Sequence, residues 1–173
     1  MTSQNTDDKI YGFTDILNQE NWVKEIDGGT IEFVNKYTLL FKNNLNDEYG
    51  KYQKVSIIIP SNGVLHFNYD FKSYYCTICK NCLRCKCSSI KNSKIYPFYV
   101  SKNQNEIFCV KKTNKNSISL NLQQNDIISL YIKSNNSNYN CITNLTISNV
   151  SFLKNTLSRN TLNNDNDNDN DND

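Results

Sequence analysis

Four apolar side chains, Leu65, Phe67, Tyr69 and Phe71, alternate with the polar His66, Asn68 and Asp70. Successive side chains on an extended chain point to opposite faces, so this run reads as a strand with one buried face. The same period of two recurs along most of the chain. It places Ile31 and Phe33 in one set, Tyr37, Leu39 and Phe41 in the next, and Val55, Ile57 and Ile59 in a third. Later sets are Tyr96, Phe98 and Val100; Phe108 and Val110; Ile118, Leu120 and Leu122; Ile128, Leu130 and Ile132; and Leu145 with Ile147. Among 173 residues there is no alanine, the best helix former, while 11 Tyr and 8 Phe suit strands.

Turn signals separate these sets at Asp27-Gly28-Gly29, Ser61-Asn62-Gly63, Asn125-Asp126 and residues 134–140. About nine short strands, each with one apolar face, predict an all-β fold, an antiparallel β-sandwich. The apolar parity changes between Ile147 and Val150, which predicts a bulge or a strand end there.

The sandwich is expected over residues 19–154, after a polar N-terminal arm at 1–18. Residues 155–173 end in alternating Asn and Asp, which bury nothing, and are expected to be disordered. No apolar run approaches the ~20 residues of a membrane helix, so no membrane association is expected. The first residues lack a basic start and an apolar stretch, so secretion by a signal peptide is not expected. The expected location is the cytoplasm or a virion. Glycosylation-type triplets at Asn135, Asn144 and Asn149 are expected by chance in a chain with 31 Asn.

Five of the seven cysteines crowd together: Cys76, Cys79, Cys82, Cys85 and Cys87. They fall in a predicted Cys-rich insertion at 74–94 between two strands. In a reducing compartment such thiols tend to hold a metal, and C-x2-C pairs let two sulfurs reach one tetrahedral Zn²⁺. Cys76/Cys79 and Cys82/Cys85 form two such pairs, with Cys87 as a spare or alternative ligand. Only Lys80 and Asn81 separate the pairs, which is closer than in common zinc fingers. Disulfides and an iron–sulfur cluster are alternatives, the latter departing from the ferredoxin run in its last spacing. Cys109 and Cys141 stand apart, in strand-like segments, and are expected to pack in the core.

Residues 72–115 hold ten basic side chains against Glu106 alone, a charge of +9. Lys80, Arg84, Lys86, Lys91 and Lys94, interleaved with Tyr74 and Tyr75, form a candidate surface for nucleic acid or an acidic partner. A solvated lysine-rich loop is the plainer reading, and only two arginines in the chain argue against base readout.

No phosphate-binding glycine loop or hydrolase elbow occurs. The single histidine, His66, lines up with Asn68 and Asp70 on one strand face, but no nucleophile is tied to it. A polar outer sheet face explains the three residues, and no enzymatic activity is expected.

The stretch from Gly63 to Ser73 resembles the G-x-L-x-F-x-Y-x-F-x-S strand of a β-sandwich module found in bacterial surface proteins and in proteins of large DNA viruses. Pro97-Phe98-Tyr99-Val100, Ser117 to Leu122, Asn125 to Ile132 and Thr146 to Val150 match further strands of that module. The resemblance spans roughly residues 20–152 and departs where the cysteine insertion replaces a short connection. It implies a structural or ligand-binding module of jelly-roll-like fold. Together with the cysteine spacing and the many aromatic residues, the preferred reading is a non-enzymatic module of a large DNA virus, with a protein or glycan ligand and a zinc-stabilised cysteine loop. The alternative is a nucleic-acid-associated zinc-binding factor that uses the basic cysteine loop.

Overall fold

The computed structural model describes residues 9–43, 51–76, 97–133 and 140–155. Eleven strands and two short 3-10 turns, Asp15–Leu17 and Gln19–Asn21, make up this part. The strands are β1 (Lys9–Tyr11), β2 (Val23–Ile26), β3 (Thr30–Asn35), β4 (Thr38–Asn43), β5 (Tyr52–Ile58) and β6 (Gly63–Cys76). After these come β7 (Phe98–Lys102), β8 (Asn105–Val110), β9 (Asn114–Leu122), β10 (Ile127–Lys133) and β11 (Asn140–Lys154).

They form two antiparallel sheets packed face to face. The first has the order β3-β4-β11-β6-β9, with β1 also pairing β11; the second has the order β2-β5-β10-β7-β8. This is the all-β sandwich that the alternating pattern implies. The long strands β6 and β11 pair along most of their length and carry the first sheet.

Alternation sorts side chains as expected. Val55, Ile57, Leu65, Phe67, Phe71, Phe98, Ile128, Leu130, Leu145 and Ile147 are all buried between the sheets. Burying a residue of this size contributes about 1.5–3 kcal/mol, so ten of them dominate the stability. Tyr69 is buried with them, and Asn114 Nδ2 donates to its hydroxyl at 3.2 Å. The parity change near 147–150 is a register shift between Ser148 and Ser151, with Asn149 at φ +51°. That extra residue turns Val150 and Phe152 back into the core.

The N-terminal segment differs from the expected polar arm. From Lys9 the chain is part of the fold: β1 pairs β11, and Ile10, Phe13 and Leu17 are buried. Gly12 makes the turn that allows this, at φ +69° and hard against the Lys36 carbonyl, a place with no room for a Cβ. Phe13 then meets Phe33 edge-on at 4.9 Å, and the Trp22 indole donates to Leu17 O at 3.0 Å. Ile10, Phe13 and Leu17 are spaced as i, i+3 and i+7, the spacing of a helix face and not of a strand, yet they sit on β1 and the turns after it, so periodicity does not reveal this placement.

Three further expectations change. Tyr37 lies in the β3–β4 turn, 48 % exposed beneath the Lys36 ammonium, rather than on a buried face. Cys109 is exposed on the edge strand β8, not packed in the core. Tyr74 and Tyr75 belong to β6, in register with Ile142 and Cys141, so the strand runs past the point where an insertion was expected to begin. Strand β2 escapes the pattern because Val23 and Ile26 are three residues apart and both exposed.

Candidate functional site

Of the candidate metal and nucleic-acid residues, Cys79, Cys82, Cys85, Cys87, Lys80, Arg84, Lys86, Lys91 and Lys94 lie outside the described residues. Cys76, Tyr74 and Tyr75 are placed by their backbone at the end of β6. No group of three or more His, Cys, Asp or Glu able to hold a metal occurs among the described residues. His66 faces outward as expected, with Nδ1 at 2.9 Å from the Ser119 hydroxyl, while Asp70 pairs with Lys72 at 3.3 Å. The triad is part of a polar sheet face.

A site that sequence reading did not single out lies on the outer face of the second sheet. An open cleft of about 910 Å³ runs along β5 and β10. On these two strands its residues are the outward-facing neighbours of the alternating sets that build the core: Tyr52, Lys54, Ser56 and Ile58 on β5; Ile127, Ser129, Tyr131 and Lys133 on β10. Strand register arranges them in rows across the sheet.

One row runs from Glu25 through Lys54, Tyr131 and Tyr99 to Cys109, each pair opposite in register. Lys54 Nζ meets Glu25 Oε1 at 2.9 Å, and the Tyr52 hydroxyl donates to Glu25 Oε2 at 3.4 Å. Tyr131 stacks on Tyr99 with ring centres 5.0 Å apart and planes 17° from parallel. The Tyr131 hydroxyl donates to Glu106 Oε1 at 2.8 Å. Burial first, and then this bond and the Glu106 charge, push the Tyr131 hydroxyl well above the usual tyrosine range. The Tyr131 ring is therefore neutral and held in place.

The next row runs from Val23 through Ser56 and Ser129 to Ser101. The Ser56 and Ser129 hydroxyls are 2.8 Å apart. Ser129 and Ser101 lie low between their neighbours and form the cleft floor. Beyond this row, Ile58 and Ile127 face each other in register.

The end of the cleft near Ile127 is braced by Asp126. This buried carboxylate accepts from Lys102 at 2.8 Å, from Asn103 Nδ2 at 2.7 Å and from the Gln123 N–H at 2.7 Å. Burial pushes its carboxyl up, but these hydrogen bonds and the Lys102 charge outweigh that and hold it below the ordinary value. Asn103 Oδ1 in turn accepts the Ile127 N–H at 2.8 Å, so the β7–β8 turn is tied to the start of β10.

Rows of this kind supply rigid aromatic surface, paired hydroxyls and an ion pair in one open groove. Of the two lysines along the cleft, Lys54 is ion-paired with Glu25 at 2.9 Å.

No protein-family model matches this chain, and no curated protein does. Among solved structures, a family 35 carbohydrate-binding module from Clostridium thermocellum is 16% identical with a TM-score of 0.38, over 80% of this chain and 96% of that one. The N-terminal cellulose-binding domain of Cellulomonas fimi β-1,4-glucanase C is 10% identical, TM-score 0.39, over 81% and 93%. The secreted serine protease VesC of Vibrio cholerae is 12% identical, TM-score 0.46, over 73% of this chain, which spans 24% of the protease. The two-sheet fold stands on the strand pairing itself.

Proposed function

We propose that this domain is a non-enzymatic binding module whose ligand, an uncharged glycan chain, lies along the β5–β10 cleft. The observation that carries the reading is the pair of cross-strand rows: stacked Tyr131 and Tyr99 beside the linked Ser56 and Ser129 hydroxyls, in a cleft of about 910 Å³. Ligand sites combine apolar contact surface with a few convergent polar groups, and fixed tyrosines lose little entropy on binding. Sugar rings have both an apolar face and a rim of hydroxyls.

Charge separates this ligand class from nucleic acid. Phosphate-backbone binding draws on unbalanced Lys and Arg. Here Lys54 is already paired with Glu25. The same proposal keeps zinc at Cys76, Cys79, Cys82, Cys85 and Cys87, and keeps the virion as the setting.

The test is a glycan array probed with the full chain, followed by titration of any hit at two salt concentrations. Binding that is insensitive to salt and weakened at least tenfold by Tyr131→Ala supports the reading. Retention of single-stranded RNA or DNA that falls steeply with salt, with no glycan bound, would replace it by the nucleic-acid alternative.

A further inference from the structure

The centre of the outer face of the first sheet is polar: His66, Asn68 and Asp70 have Ser119, Ser117 and Lys115 as register partners. The cleft differs from it at one end. Ile58 and Ile127 are opposite each other in register, and Val23 flanks them on β2 beside Ser56. They are 63 %, 38 % and 63 % exposed. Pro60 and Ile16 extend the same wall.

Single exposed apolar residues are ordinary, but a contiguous set inside a binding groove marks what the groove takes up. Branched aliphatic side chains offer no flat ring for a sugar to stack on and no hydrogen bond for its hydroxyls. They match an alkyl or acyl group. The polar end, with Tyr52 and Lys133 opposite each other, is six residues along the strands, about 20 Å away. The serine row lies between, so the cleft is graded from aliphatic through hydroxyl to aromatic and charged.

We infer that the ligand is a glycan that carries a short acyl or alkyl group, with that group seated on Ile58, Ile127 and Val23 and the sugar rings along Ser129 and Tyr131. This rests on the glycan reading above and adds the substituent to it. The aliphatic end then selects decorated over bare chains.

The experiment is calorimetric titration of the full chain with cellobiose, xylobiose and mannobiose, each as methyl and as butyl glycoside. Each buried methylene contributes about fourfold in affinity, so the butyl form of the sugar that binds is expected to be at least tenfold tighter. Ile58→Ser with Ile127→Ser is expected to bring the butyl-to-methyl affinity ratio close to one. Val23→Ser, on the edge strand, gives a milder second variant with a partial loss of the advantage. Equal binding of methyl and butyl forms overturns the inference and leaves the glycan reading standing. Binding of neither form of any sugar overturns the glycan reading, and this inference with it. Self-association of the chain that Ile58→Ser abolishes would assign the patch to a second copy and overturn the inference as well.

Discussion

The Tyr131 hydroxyl donates to Glu106 Oε1 at 2.8 Å, joining the middle of β10 to the edge strand β8 across the intervening β7. The bond holds one ring of the candidate site upright and neutral. A folded-state value raised above 10 means that folding holds the proton more tightly than the unfolded chain does. The stabilisation is complete below the unfolded value and is lost as pH rises above about 10. Tyr131→Phe is expected to lessen the alkaline loss of stability, read as denaturation midpoints between pH 8 and 11. An unchanged profile would show that neither burial nor the bond raises the Tyr131 value in solution.

The stack of Tyr99 on Tyr131 is a cross-strand pair on one sheet face. Such pairs contribute about 0.5–1.5 kcal/mol beyond buried area. A double-mutant cycle of Tyr99→Ala and Tyr131→Ala, followed by urea unfolding, is expected to give a coupling energy in that range. Additive losses would mean that the rings do not interact.

Asp126 holds three donors from two turns, and losing it leaves them without their acceptor. Asp126→Ala is expected to destabilise the fold by about 2–3 kcal/mol near neutral pH. Because its folded value lies below the ordinary 3.8, its contribution is full above that pH and falls as pH drops through the folded value. The gap between wild type and Asp126→Asn should therefore narrow below pH about 4. A gap that persists into strong acid would assign the effect to packing alone.

Gly29 adopts φ +71°, and a Cβ there would collide with Gln53 Nε2 and the Lys42 carbonyl. Gln53 is fully buried, and its Nε2 donates to Gly28 O at 3.0 Å and Lys42 O at 2.8 Å, tying β5 of one sheet to β4 of the other. Gly29→Ala is expected to cost roughly 2–4 kcal/mol through backbone strain and displacement of Gln53. A thermal unfolding midpoint within a degree of wild type would contradict this.

Much of the sandwich was legible in the chain, because a period of two has one physical meaning: alternate side chains leave a strand on opposite faces. The sets from Leu65 to Phe71 and from Ile128 to Ile132 therefore map directly onto buried faces. The parity change before Val150 likewise announced the bulge at Asn149. Periodicity did not reveal Phe13, Leu17 and Trp22, which are buried by turns, nor Gln53, a polar residue on which carbonyls from the β2–β3 turn and from β4 converge. The cleft was hidden for a related reason. Its residues are the other half of the strands that gave the core away: Lys54 and Ser56 beside Val55, and Ser129 and Tyr131 beside Leu130.

Local sequence thus determined which residues extend and which side of each strand turns inward, since both follow from backbone geometry and the transfer of apolar groups from water. It also determined the clustering of five cysteines in a short segment. Only tertiary structure decided which strands are neighbours. Strand order set Glu25 beside Lys54, Tyr131 beside Tyr99 and Ile58 beside Ile127. These partners are between 29 and 69 residues apart in the chain for the first and last pairs. Their meeting depends on the closure of two sheets around one core, which no local window of sequence contains.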